Sequence, residues 1–335
     1  MHGLHQNSGS GEEPCLISPY LLTGATRLNS FCKKLDIAEQ GGARALWIAN
    51  HLFLRDPVSL AATSLARTKN LHLVLMAISP LTMHPVQAAM SAATLDEMFP
   101  GRITLCFGVG APADLNALSI EAEKPLKLMR EALKVTRALL AGETVKYEGD
   151  HFSVASRGLV TGPRKVPLFL AASGPGMLEL AGAEADGVLI SAGASLPFVE
   201  QTLEHVRRGA RGRKVRTQGL VYTSIDDSEV AANDRLRRLL AILLRGAHHR
   251  ANLEAAGNKL DQAALNDAVL SNDWAKAESL ITDRIVQQHA ASGTREQLKQ
   301  RFSNYHRAGL DEVVVAGARE PDQISRILKI QERMS

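Results

Sequence analysis

Short apolar runs alternate with amphipathic stretches along nearly the whole chain. The clearest run, residues 71–78, reads Leu-His-Leu-Val-Leu-Met-Ala-Ile, as expected of a strand covered on both faces in a parallel sheet. Similar runs predict strands over 15–21, 45–49, 102–108, 167–171, 187–191, 215–225 and 312–315. Between them, apolar positions at helical spacing predict helices over 27–40, 57–67, 85–98, 122–141, 176–185, 197–208, 295–308 and 321–332. Stop and start signals support the boundaries. Gly41-Gly42 closes the first helix, and Asp56-Pro57 supplies a cap and a first-turn proline for the second. A small excursion over 145–154 turns at Glu148-Gly149-Asp150. A helical block over 228–291 is too long for one crossover helix and reads as an insertion. Eight strands in βα alternation predict an α/β architecture, a (β/α)8 TIM barrel of parallel strands that forms one domain over 15–335.

Composition narrows this picture. Hydrophobic residues make up 45% of the 335 positions and aromatics only 4%, so the core is aliphatic. No apolar run reaches the roughly 18 residues that span a bilayer, which argues against a membrane partner. Residues 1–14 are polar and lack an apolar core segment, so they read as a flexible leader and not as a secretory signal. Cys15, Cys32 and Cys106 have no metal-type spacing and read as reduced thiols of a cytoplasmic protein. The formal net charge is +4, and the one basic stretch, 207–216, has no interleaved aromatics. It reads as a solvated helix end and loop, with no nucleic acid as partner.

In a barrel of this kind the chemistry sits at the C-terminal ends of the strands. After the second strand come Asn50 and His51, and a histidine there faces the barrel mouth, where it can exchange a proton near neutral pH. After the third, Ser79-Pro80-Leu81-Thr82-Met83-His84-Pro85 is a short loop stiffened by two prolines, which a rigid strand-to-helix turn explains. After the fourth, Gly108-Val109-Gly110-Ala111-Pro112 superficially resembles a dinucleotide fingerprint, but Pro112 argues against the tight phosphate turn. Its glycines suit a flat cofactor lying against backbone. After the fifth, Ser173-Gly174-Pro175-Gly176-Met177 offers a cap, a first-turn proline and a helix N-terminus fit for a phosphate, or else an ordinary capped helix. The nucleophile elbow G-x-S-x-G, the zinc motif H-E-x-x-H, a phosphate-binding P-loop and a Cys/His cluster are all absent, so no metal is expected.

In this order and spacing the segments resemble the luciferase-like flavin and deazaflavin oxidoreductase family, and most of all its F420-dependent, methylenetetrahydromethanopterin reductase-like branch. The family's Trp-x-x-Asp-His stands here as Trp47-Ile48-Ala49-Asn50-His51, and its Asn/Thr-Pro-x-x-Arg-His-Pro as Ser79 to Pro85. Phe99-Pro100-Gly101-Arg102, Gly108-Val109-Gly110, Val145-Lys146-Tyr147-Glu148-Gly149 and Phe152 match further blocks. So do Ala171-Ala172-Ser173-Gly174-Pro175, Leu180-Ala181-Gly182 and Ala185-Asp186-Gly187-Val188. The resemblance covers about residues 15–225 and returns near 310–313.

The resemblance implies a homodimeric hydride-transfer enzyme with a small-molecule substrate and coenzyme F420. The coenzyme's ring would rest on a backbone bulge, often a non-prolyl cis peptide, at Met76-Ala77, with Ile78 and Ser79 adjacent and Gly108, Gly110 and Ala111 beside it. Its phosphate would rest on Ser173, Gly174, Pro175, Gly176 and Met177, and His51, next to Asn50, would transfer the proton. Three positions depart from the family. Asn50 replaces an aspartate, Met83 replaces an arginine, and Ala111-Pro112-Ala113 lacks the glutamate of sugar-phosphate dehydrogenases, which argues against that substrate. Two rival readings share the barrel. One is an FMN-dependent monooxygenase served by a separate flavin reductase, and the other is a non-catalytic ligand-binding barrel with a decayed site.

Overall fold

Every predicted apolar run forms a strand in the computed structural model, which describes residues 16–21, 28–191 and 193–331. The expectations for the leader over 1–14 and for Cys15 lie outside the described residues. The strands are β1 (Leu16–Leu21), β2 (Ala45–Ala49), β3 (His72–Ile78), β4 (Ile103–Phe107), the hairpin pair β5 (Lys146–Glu148) and β6 (Ser153–Ala155), β7 (Leu168–Ala172) and β8 (Gly187–Ile190). β9 (Arg216–Ile225), β10 (Ala291–Gly293) and β11 (Glu312–Ala316) follow. β1, β2, β3, β4, β7, β8, β9 and β11 pair in that order, all parallel. β11 pairs back onto β1, which closes the barrel.

The strands are apolar on both faces because both are covered. Leu46, Ile48, Leu73, Leu75, Leu105 and Phe107 point outward and pack under the helices. Trp47, Val74, Cys106, Phe169, Leu189 and Val314 point inward and fill the barrel.

On β2, β4, β7 and β8 the interior side chains shrink along the barrel axis, and this decides which end is open. At the N-terminal end Trp47, His72, Thr104, Phe169, Arg216 and Glu312 crowd around a residual cavity of only about 80 Å³. Trp47 Nε1 donates to Glu312 Oε1 at 3.3 Å, His72 Nε2 lies 2.7 Å from Thr104 Oγ1, and the Arg216 guanidinium covers the Phe169 ring. Burial pushes His72 down to about 4 and pushes the Glu312 carboxyl up, against the opposing pull of Ser18 and Arg44. At the other end these four strands carry Ala49, Gly108, Ala171 and Ser191, too small to fill the space left between Met76 of β3 and Leu220 and Tyr222 of β9, so the mouth stays open.

Three local expectations change. The helix expected over 122–141 runs over Pro125–Leu140, because the residue before a proline is excluded from helical geometry; Lys124 takes φ 42° instead. A separate short helix, Pro112–Ala117, precedes it. The end of the expected helical insertion is β10, which adds in parallel to the far end of β9; three residues are too few to show a period. The rest of the insertion has its own apolar cluster, including Leu236, Leu240, Leu244, Leu253, Leu265 and Ile281. In the basic stretch, Arg207 and Arg208 pair with Glu204 and Glu179, and Arg213 donates to the carbonyls of Gly182 and Ala185. Among the described residues no helix is long and apolar enough to cross a membrane.

Candidate active site

At the open end the strand termini and the loops after them enclose a cavity of about 720 Å³. That lies within the range of about 300–1,000 Å³ usual for small-molecule sites. Asn50, His51, Met76, Ala77, Ser79, Gly108, Gly110, Ala111 and Ser173 to Met177 all line it. Ile78, also singled out from the sequence, does not. Its side chain is fully buried in the core under the helices.

The wall on the β3 side is a bulge. Leu75 pairs with Leu105 and Ile78 with Phe107, so β3 uses three steps where β4 uses two. The expected cis bond is not there: every peptide bond among the described residues is trans, and the inserted residue bends the strand without one. Asn50 N–H donates to Met76 O at 2.5 Å and Gly108 N–H to Ile78 O at 3.1 Å, which ties the bulge to both neighbouring strands. A Cβ on Gly108 would lie 2.7 Å from Ala77 Cβ, so the bulge fits only against glycine. Gly110, at φ 117°, takes a backbone conformation that favours glycine, and Ser79 Oγ–H donates to Val109 O at 2.6 Å across the two loops.

A helix N-terminus forms another part of the wall. The helix Pro175–Glu184 starts at Gly174, and no side chain caps it. Ser173 therefore does not play the capping role open to it in the sequence. Proline has no N–H, and the Gly176 and Met177 N–H groups precede the first intrahelical bond, Leu178 N–H to Gly174 O at 3.0 Å. A Cβ on Gly174 would meet nothing within 4 Å. Two donors without a partner among the described residues and the positive end of a helix thus border open space, an arrangement suited to an anion. The helix Pro85–Met98 differs, since His84 Nδ1 accepts from Val86 N–H at 3.2 Å and the ring packs edge-on to Phe152. His84 is a cap and lies outside the site, and Met83 packs against the core.

The acid–base pair among the described lining residues was half legible. His51 Nδ1 lies 3.4 Å from Asp114 Oδ2, and Leu52 N–H donates to the same oxygen at 3.2 Å. With Nδ1–H directed at the carboxylate, Nε2 is the ring atom left for a substrate. Asp114 sits in the first turn of Pro112–Ala117, where a carboxylate is favoured by the helix dipole. It escaped the sequence analysis because this short helix was not expected. An acidic residue just after a proline that follows the glycine loop was the available signal. Asp114 places beside His51 the negative charge that Asn50 does not supply. Ser191, Leu220 and Tyr222, none of them singled out from the sequence, complete the far wall; no Lys or Arg is among the described lining residues.

The chain is similar to known proteins over most of its length. Residues 15–312 match the luciferase-like monooxygenase family. The 5,10-methylenetetrahydromethanopterin reductase of Archaeoglobus fulgidus is 30% identical over 298 residues, covering 86% of this chain and 90% of that protein. The F420-dependent glucose-6-phosphate dehydrogenase of Beutenbergia cavernae is 27% identical over 293 residues, 83% of this chain and 84% of that protein. The solved structure of the coenzyme F420-dependent tetrahydromethanopterin reductase of Methanopyrus kandleri superposes with a TM-score of 0.86 at 21% identity, covering 95% and 98% of the two chains.

Proposed function

Because this chain belongs to the luciferase-like monooxygenase family, we propose that it is an oxidoreductase that uses coenzyme F420 to exchange a hydride with a small organic substrate in the barrel mouth. One observation carries the coenzyme part of this reading. A single cavity joins a bulged wall of small residues, open to a flat ring, with the uncapped helix start at Gly174 to Met177, open to a phosphate. The open space beside Gly174 and the close approach of Gly108 to Ala77 are both compatible with a flat phosphorylated coenzyme.

Met76, Ala77, Gly108, Gly110 and Ala111 would support the ring, and the Gly176 and Met177 N–H groups would hold the phosphate. When bound, the deazaflavin supplies the two-electron hydride chemistry. The chain supplies the proton. A substrate that gains a hydride at carbon gains one proton at its heteroatom, and His51 Nε2 delivers it; in the oxidative direction the same nitrogen accepts it. Asp114 orients the imidazole through Nδ1 and balances its charge when both nitrogens are protonated. Met76, Val109, Leu115, Leu126 and Met177 give much of the cavity wall an apolar lining. A homodimer in the cytoplasm completes this reading.

Titration of the purified protein with oxidised F420 and with FMN, followed by fluorescence, tests it. Saturable binding of F420 at micromolar concentrations, tighter than FMN, is expected. The family description itself favours a second reading, a flavin monooxygenase, and tighter binding of FMN would select it. Binding of neither would leave the non-catalytic barrel.

A further inference from the structure

The wall facing the bulge carries a polar side chain that nothing above uses. From β3 the barrel runs through β4, β7 and β8 to β9 in one direction and through β2, β1 and β11 to β9 in the other. β9 is therefore diametrically opposite β3. Period-two alternation turns Leu220 and Tyr222 of β9 inward, and both line the cavity. The Tyr222 hydroxyl has no hydrogen-bond partner among the described residues. Burial raises its phenol above the ordinary range, and Arg319, exposed outside the cavity, opposes this. The phenol is therefore a hydrogen-bond donor at neutral pH and not a base. His51 and Asp114, from the loops after β2 and β4, face each other, and no Lys or Arg is among the described lining residues to pair with a phosphate or carboxylate.

We propose that Tyr222 is the substrate's binding donor: its Oη–H hydrogen-bonds the oxygen or nitrogen of an uncharged carbonyl, alcohol or imine held between β9 and the ring supported by β3. The position of the ring in this assignment rests on the F420 reading above. Leu220 packs against the apolar part of the same molecule, and an anionic substrate such as a sugar phosphate is disfavoured because no Lys or Arg among the described residues lines the cavity to offset the desolvation of its charge, while His51 already faces Asp114.

The test uses protein loaded with oxidised F420. The oxidised coenzyme holds no hydride to transfer to a ketone, so binding of the ketone is read as a dead-end complex by the change in F420 fluorescence. Cyclohexanone and the cyclic imine 1-pyrroline are the uncharged probes, and glucose 6-phosphate is the anionic one. At least one uncharged probe is expected to bind, and glucose 6-phosphate is not. Tyr222→Phe should raise that probe's Kd about five- to tenfold, as expected for one lost hydrogen bond, while leaving the Kd for F420 within about twofold. An unchanged probe Kd in Tyr222→Phe overturns the assignment, as does preferential binding of glucose 6-phosphate or binding of no uncharged probe. Failure of the wild-type protein to bind F420 at all overturns the coenzyme reading and this assignment with it. Normal F420 binding with an unaffected probe overturns this assignment alone.

Discussion

Replacing Gly176 with valine separates a phosphate cradle from an ordinary helix start. Gly176 is the second residue of the helix Pro175–Glu184, and a Cβ there would lie 3.0 Å from Leu126 Cδ1, the far end of a flexible side chain. Valine has a slightly better helix propensity than glycine, so folding stability should change by no more than about 1 kcal/mol. In a chain of this size that moves the melting temperature by about 2–4 °C at most. A bound phosphate fares differently. The added branched side chain crowds the Gly176 and Met177 N–H groups, and a hydrogen bond to a charged acceptor contributes about 1.5–3 kcal/mol. Loss of one such bond raises the Kd for F420 about 10- to 100-fold. Melting reads the same loss. Coenzyme at 100 times its wild-type Kd adds about 2.7 kcal/mol to the wild type but only about 0.9 kcal/mol to a variant that binds about 30-fold more weakly. Fluorescence titration with oxidised F420, with thermal melts run with and without it, measures both effects. A variant that binds F420 like the wild type refutes the cradle. One that loses stability and affinity in parallel assigns Gly176 to helix packing instead.

Other consequences are as direct. His51→Ala should leave the F420 Kd within about twofold and slow turnover about 10²- to 10⁴-fold, and unchanged turnover would remove His51 from the proton path. Asp114→Asn should slow turnover in the same direction by about tenfold, with partial recovery in Asp114→Glu; steady-state rates equal to wild type in both would reduce the 3.4 Å contact to a loop tether. Reduced FMN with oxygen should give no oxygen uptake beyond the rate without protein, and sustained uptake at an oxygen electrode would move the reading to a monooxygenase. Half-buried His72, held at about 4 against 6.5 in the unfolded chain, stays neutral in the fold while the unfolded chain takes up a proton. Its contribution is therefore present above about pH 6.5 and is lost as pH falls towards 4, up to about 3 kcal/mol. Urea titrations at pH 7 and pH 4 should show a smaller fall for His72→Gln than for the wild type, and equal falls would contradict the neutral histidine.

Most of the barrel was legible because its signals are local. A strand covered on both faces must be apolar at successive positions, as 71–78 is, and Asp56-Pro57 carries its own capping chemistry, realised as Ser59 N–H donating to Asp56 Oδ1 at 2.6 Å. What failed was short or set by competition between neighbours. β10 has too few residues for a period, and Pro125 cut short a helix that periodicity alone would have begun earlier. The strand-end rule found most of the mouth, but it could not tell that Ile78 turns away while Met76 and Ala77 face the cavity. One extra residue in β3 decides that, and it is visible only against the register of β4.

The sequence by itself determined the alternation of eight strands with helices, the side of the barrel on which chemistry could occur, and the family. Each of these follows from residues near one another in the chain. Only the tertiary structure brought Asp114 to His51, 63 residues away, and set Tyr222 across the cavity from the bulge. Those relations exist because β11 returns to pair with β1: closing the sheet fixes which strand ends face each other, and no local pattern encodes that closure.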